Sequence, residues 1–98
     1  MIQTSKSPDG EWTTIRISGR FDFSCHREFN DCYRGVPTRG YEVDLSGVSY
    51  VDSAALGMLL MLREKVGNDP GRVRLVGSTG QPAEVLRVAQ FGRLFSIS

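Results

Sequence analysis

DLSGVSYVDSAALGMLL, Asp44 to Leu60, is the stretch that decides how this chain folds. It reads as the end of a buried strand, a short polar loop, and an abrupt start into an apolar helix with Asp52-Ser53 at its tip. Spacing residues about 100° apart around a helix from Ala54 gathers Ala55, Met58, Leu59, Leu62 and Val66 on one side, the expected core face. Ser53, Gly57, Leu60 and Glu64 fall nearly opposite. The helix therefore carries a serine at its tip and, in line with it, a residue without a side chain and a leucine that the core does not need. A contact surface with a hydroxyl at its rim has this pattern.

The position of Ser53 limits its chemistry. The first turn of a helix leaves backbone N–H groups unpaired and concentrates partial positive charge. A phosphate there is favourably placed and adds about −1.5 to −2 charge. Modification would change the rim of the outward face without unfolding the helix. The simpler alternative is that Ser53 or Asp52 is the N-cap, satisfying one orphan N–H and contributing about 1 kcal/mol. The two readings are compatible if Asp52 caps while Ser53 serves as the site.

Working outward, Tyr41 to Leu45 reads as a strand bounded by Gly40 and Gly47, and Ser46 and Ser49 fall in the loop after it. They rank below Ser53 as phosphate acceptors because neither stands at a helix tip. The helix is expected from about Ser53 to Val66, where Gly67-Asn68-Asp69-Pro70-Gly71 breaks it. Arg72–Val76 is a brief strand. Ser78 to Pro82 opens a further helix with Ala83, Val85, Leu86, Val88 and Ala89 on its apolar side and Gly92 as its end. Leu94–Ile97 closes the chain as an edge strand or a packed tail. Upstream, Met1–Lys6 and Glu11–Ser18 read as a hairpin around the turn Ser7-Pro8-Asp9-Gly10, ended by Gly19-Arg20. A helix capped by Ser24 follows, with Cys25, Phe29, Cys32 and Tyr33 inward and His26, Arg27, Asn30, Asp31 and Arg34 outward, stopped by Gly35-Val36-Pro37. The order β-β-α-β-α-β-α-(β) predicts an α/β fold, a mixed sheet of four to five strands packed against helices.

Composition excludes several classes. The chain has 98 residues, suited to a single domain over 1–98 with a modest core. A net charge of +1 with mixed signs gives no electrostatic footprint for nucleic acid or an anionic membrane. No apolar run approaches the ~20 residues of a membrane span, and no signal-peptide pattern opens the chain, so a cytoplasmic location is expected. Cys25 and Cys32 stand about two helical turns apart, roughly 10 Å, whereas a disulfide needs Cα atoms within about 7 Å. Both are expected as small buried residues. The one histidine, His26, faces away from both cysteines, so no metal site is expected. No phosphate loop of the G-x-x-x-x-G-K-[ST] type and no dinucleotide fingerprint is present, so no cofactor and no enzymatic activity are expected.

Asp44-Leu45-Ser46 followed by Val51-Asp52-Ser53-Ala54-Ala55-Leu56-Gly57 resembles the signature of the STAS domain, and more narrowly that of the bacterial anti-sigma factor antagonists, or anti-anti-sigma factors. Gly19-Arg20-Phe21-Asp22 is similar to that family's G-x-[LF]-D turn. Leu75-Val76-Gly77 and Phe91-Gly92-Arg93-Leu94-Phe95 are similar to its late strand and C-terminal region. Ala55 stands where many members have glycine, a packing variation on the core side. The resemblance implies phosphorylation of the serine that directly follows the aspartate of D-S-[SA]-[GA]-L-G, here Ser53. It implies a docking surface of Asp22, Asp52, Ser53, Ala54, Gly57 and Leu60, with Asp22 beside the modified serine. The implied partner is an anti-sigma factor or ATPase-type serine kinase, bound in the unphosphorylated state so that a sigma factor is freed, and a PP2C-like phosphatase resets the switch. The alternative is a constitutive STAS scaffold or an accessory subunit of a transporter or signalling assembly, in which Ser53 is only a cap.

Overall fold

The computed structural model describes residues 1–35 and 38–98. Its first element is the expected hairpin. β1 (Ile2–Lys6) pairs antiparallel with β2 (Trp12–Phe21), in register from Ile2↔Ile17 to Lys6↔Thr13. The turn between them is closed by Gly10 N donating to Ser7 O and Ser7 N donating to Trp12 O, each 2.8 Å.

Every later strand adds parallel to the one before it. β3 (Gly40–Val51), β4 (Val73–Val76) and β5 (Ser96–Ile97) complete a five-stranded sheet in the order β1-β2-β3-β4-β5. Parallel neighbours need crossovers, and these are α1 (His26–Tyr33), α2 (Ser53–Lys65) and α3 (Gly80–Val88). Right-handed crossovers between strands laid down in chain order place their helices on one face. One buried cluster accordingly joins Ile15 and Ile17 of β2, Tyr41, Val43 and Leu45 of β3, and Val73 and Leu75 of β4 to Phe29, Tyr33, Met58, Leu59, Leu62 and Leu86 of the helices.

The other face of the sheet is polar. Arg16 Nε donates to Asp44 Oδ2 across adjacent strands (3.1 Å). Arg74 stacks over the Trp12 ring, 3.8 Å from its centroid, and Arg20 over the Tyr50 ring at 4.1 Å. Gly40 makes room for the first stack, since a Cβ there would come 2.7 Å from both the Trp12 ring and Arg72 O. Gly77 has a similar role beside β3. Its φ of +78° is left-handed, and a Cβ would stand 2.9 Å from Ser46 Cβ.

β2 and β3 run beyond the expected limits. Gly19-Arg20 does not end β2, and Ser46–Val51 is not a loop but the second half of β3. Arg16 pairs with Asp44 and Ser18 with Gly47, then Gly19 with Val48 and Arg20 with Tyr50. Each shift inserts one extra β3 residue, so this half of the strand is bulged. Its core residues are Leu45, Val48 and Val51, three apart rather than two.

The helix boundaries bring further corrections. A 3-10 turn (Phe23–Cys25) precedes α1 and is capped by Asp22, whose Oδ1 accepts from Ser24 N at 3.0 Å; Ser24 is not the cap. Cys25 is buried, but Cys32 is half-buried. α1 ends at Tyr33, and the expected stop at Gly35-Val36-Pro37 extends onto residues 36 and 37, outside the described residues. α3 ends at Val88 rather than Gly92, because Gln90 turns left-handed (φ +58°) and Phe91–Arg93 forms a separate 3-10 turn. Val88 and Ala89 are exposed rather than inward. β5 pairs with β4 as an edge strand.

Candidate docking face around Ser53

Parallel register builds this site. Phe21 and Val51, both buried, are partners at the carboxyl ends of β2 and β3. The residues that follow them, Asp22 and Asp52, therefore leave the sheet on adjacent strands, spaced about 4.8 Å apart. Each aspartate turns its chain into a helical element by the same chemistry. Asp22 Oδ1 accepts from Ser24 N and from Ser24 Oγ, and Asp22 Oδ2 from Arg20 Nε (3.3 Å). Asp52 Oδ1 accepts from Ala55 N (2.9 Å), and its carbonyl from Leu56 N (3.3 Å). The Ser24 hydroxyl, then the Ser24 N–H, hold the Asp22 carboxyl below the usual carboxylate range, and Arg20 adds to this. Asp22 stays ionised and fixed.

With Asp52 as the cap, Ser53 is the first helical residue. It is exposed, and its hydroxyl has no hydrogen-bond partner among the described residues. The other two candidate serines differ. Ser46 is bonded to Asp44, its N–H donating to Asp44 Oδ1 at 2.9 Å, and Ser49 Oγ donates to Gly19 O at 3.3 Å. Both lie inside β3, not in a loop.

The two sides of α2 separate as the angular spacing predicts. Ala55, Met58, Leu59 and Leu62 are buried and Val66 is partly buried, while Ser53, Leu60 and Glu64 are exposed. Ala54 and Gly57 are half-buried. A Cβ at Gly57 would meet nothing within 4 Å. No neighbour among the described residues requires a glycine there, although glycine costs a helix interior about 1 kcal/mol relative to alanine. Leu60 remains 39% exposed and the adjacent Met61 51%.

Phe23 is the residue that sequence reasoning missed. It follows Asp22, is 70% exposed, and stacks on His26 with ring centroids 5.5 Å apart. Its place between a strand end and a helix start makes it look like part of the buried run, and only the capped turn shows that it faces outward.

The remaining reactive side chains are quiet. Burial first, then the Glu28 and Asp31 carboxylates, push the Cys32 thiol up to about 11, so it stays protonated near neutral pH. Among the described residues, no group of three or more His, Cys, Asp and Glu side chains could hold a metal ion. Among the same residues, no helix is long and apolar enough to cross a membrane.

A family model described as "Mlab, STAS domain" matches residues 4–96. A STAS-domain containing protein of Pseudomonas aeruginosa (strain UCBPP-PA14) is 42% identical over 99 residues, covering 99% of this chain and 98% of its own. Among solved structures, the chain is similar to the anti-sigma factor antagonist SpoIIAA in its unphosphorylated form, with TM-score 0.73 and 18% identity over 100% of this chain and 87% of that one. It is similar to a putative anti-sigma factor antagonist from Thermotoga maritima, with TM-score 0.81 and 17% identity over 99% and 85% of the two chains. The phosphorylated form of Bacillus SpoIIAA gives TM-score 0.69 and 16% identity over 100% and 91%. At these identities the solved structures share the fold.

Proposed function

The chain belongs to the STAS family, and from that premise we propose that it is a phosphorylation-switched interaction module, an anti-sigma factor antagonist acting in the cytoplasm. STAS antagonist folds are generally interaction modules rather than enzymes, and proteins named as antagonists of anti-sigma factors imply protein partners of the partner-switching kind. The observation that carries the reading is the state of Ser53. Asp52 already fills the cap, the Ser53 hydroxyl is unbonded and exposed, and it lies in line with Gly57 and Leu60. A serine needed only as a cap would be bonded to the helix start.

In this reading the docking face runs from Asp22 and Phe23 across Asp52, Ser53 and Ala54 to Gly57 and Leu60. Unmodified, it binds an anti-sigma factor or ATPase-type serine kinase and frees a sigma factor. An exposed aromatic on a capped turn is a suitable anchor for such an interface. Phosphorylation of Ser53 sets a dianion beside Asp52 and Asp22 in a contact that must be desolvated to form. An unpaired charge buried there costs several kcal/mol, and about 4 kcal/mol weakens binding roughly a thousandfold. The fold need not change, and a PP2C-like phosphatase restores binding.

The test is a pull-down from the native cytoplasm with wild-type, Ser53→Ala and Ser53→Asp baits, read by mass spectrometry, with wild type checked for phosphate at Ser53. The expected result is an ATPase-kinase or anti-sigma protein held by the alanine bait and lost or reduced with aspartate. Recovery of the same transporter or scaffold subunits by all three baits would instead make the face a constitutive interface and Ser53 an ordinary helix residue.

A further inference from the structure

Among the described residues, no strand pairs with the outer edge of β3 beyond Asp44. β4 pairs with it only from Tyr41↔Val73 to Asp44↔Val76, while β3 continues to Val51. The last residue of β3 is nevertheless paired there, by a side chain from an element 30 residues away. Gln81 Nε2 donates to Val51 O (3.0 Å), and Val51 N donates to Gln81 Oε1 (2.9 Å). A primary amide carries the donor and acceptor of a peptide group, so Gln81 stands in for one residue of the missing strand. α3 holds it in place from both sides. Gly80, at φ +59°, lets the chain enter the helix, and Pro82 is fully buried.

The pairing lies one residue before the cap. Val51 leads directly into Asp52, which binds Ala55 N and sets where Ser53 stands. We infer that Gln81 is the positioning residue of the Ser53 site: its amide fixes the end of β3, so that Asp52 caps α2 and Ser53 is held at one point on the rim. The functional meaning rests on Ser53 being the switch. A switch that works by charge alone needs this rigidity, because a rim that moved aside could relieve the repulsion that phosphate creates. The geometry also makes α3 mechanically continuous with the start of α2.

The experiment is amide hydrogen exchange, followed by NMR, on wild type, Gln81→Met and Gln81→Glu. The readouts are protection factors at Val51 and Ala55, with Val43 and Leu62 as references. Loss of one hydrogen bond corresponds to about a fivefold to tenfold change. Gln81→Met removes donor and acceptor together, so Val51 and Ala55 should exchange at least about tenfold faster while Val43 and Leu62 hold. Gln81→Glu keeps the acceptor for Val51 N and loses the donor. As pH falls below the ordinary glutamate value of about 4.3, the neutral acid regains an O–H that can donate to Val51 O. Protection at Val51 and Ala55 should then rise against the references, a reversal that helix packing alone would not produce.

Unchanged protection at Val51 in Gln81→Met would overturn the inference, as would loss at Val51 without loss at Ala55. If Gln81→Met lowers all four positions together, the Gln81→Glu reversal decides: recovery on acidification at Val51 and Ala55 supports the inference, and none overturns it. These measurements need no partner. Their failure would leave the bait comparison standing, and an unresponsive bait set would leave the exchange result standing.

Discussion

Helices α1 and α2 lie on the same face of the sheet and touch each other, yet their outer sides follow opposite rules. α1 buries Phe29 and Tyr33 and turns His26, Arg27, Glu28 and Asp31 to solvent, while Asn30, expected outward, is half-buried. α2 buries Ala55, Met58, Leu59 and Leu62, but its outer side carries Ser53, Gly57, Leu60 and Met61, with charge arriving only at Arg63, Glu64 and Lys65. The outer side of α1 need only be soluble. The outer side of α2 is smooth and apolar, and carries a helix-weakening glycine that the fold does not use. An apolar strip that serves neither solubility nor helix propensity is in keeping with the proposed docking face.

Truncating one leucine on each side of α2 separates its inner and outer sides most strongly. Leu62→Ala, in the core, should lower unfolding free energy by about 2–5 kcal/mol. Leu60→Ala, on the outer side, should stay within about 0.5 kcal/mol and should weaken partner capture. Urea denaturation separates the two, and similar midpoints would mean that α2 has no privileged inner side.

Gly57→Ala gives a smaller effect of opposite sign. Removing glycine from a helix interior with open space around it should stabilise the fold by roughly 0.5–1 kcal/mol while placing a methyl on the proposed docking face. A higher melting temperature with weaker partner binding is the expected pair. A lower melting temperature would show that the chain itself needs the glycine.

The smallest effect belongs to the bare face of the sheet and sets the background for charge effects at α2. The Ser46 hydroxyl, then the Ser46 N–H, and Arg16 hold the Asp44 carboxyl below its ordinary value. A folded value below the unfolded one, about 3.9, means that the contribution is present above that pH. It is lost as pH falls through the lowered folded value. Asp44→Asn should therefore lower stability slightly near neutrality and flatten the acid limb below about pH 4, where the variant and wild-type curves converge. A difference that persists unchanged into acid, or none near neutrality, would contradict the assignment.

Where the sequence was legible, periodicity and turn chemistry were intact. The hairpin follows from Ser7-Pro8-Asp9-Gly10, and both sides of α2 follow from angular spacing. Where it misled, the period itself had changed. Leu45, Val48 and Val51 are core residues three apart because β3 is bulged twice, and a strand with that spacing reads as a polar loop. Asp22 displaced Ser24 as cap because the turn starts two residues earlier, directly from the strand. Val88 and Ala89 are apolar but stand past the reach of the core at the end of α3. Ser53, Gly57 and Leu60 could be placed because one helix carries them. Phe23 and Gln81 could not, since nothing local marks an outward phenylalanine or a glutamine paired 30 residues away.

The unbroken order β1-β2-β3-β4-β5 also bears on how the chain is made. A ribosome releases the N-terminal hairpin first, and each later strand joins the edge that was laid down last. No strand has to wait for a later one before it can pair, and none must be inserted between two already joined. Loop closure stays short at every step, which limits its entropic cost. During synthesis a single growing edge is exposed, and the next segment to emerge is the one that covers it. The fold can therefore be assembled in the direction in which it is translated, with the Ser53 segment emerging first and α3, which carries Gln81, following it onto the end of β3.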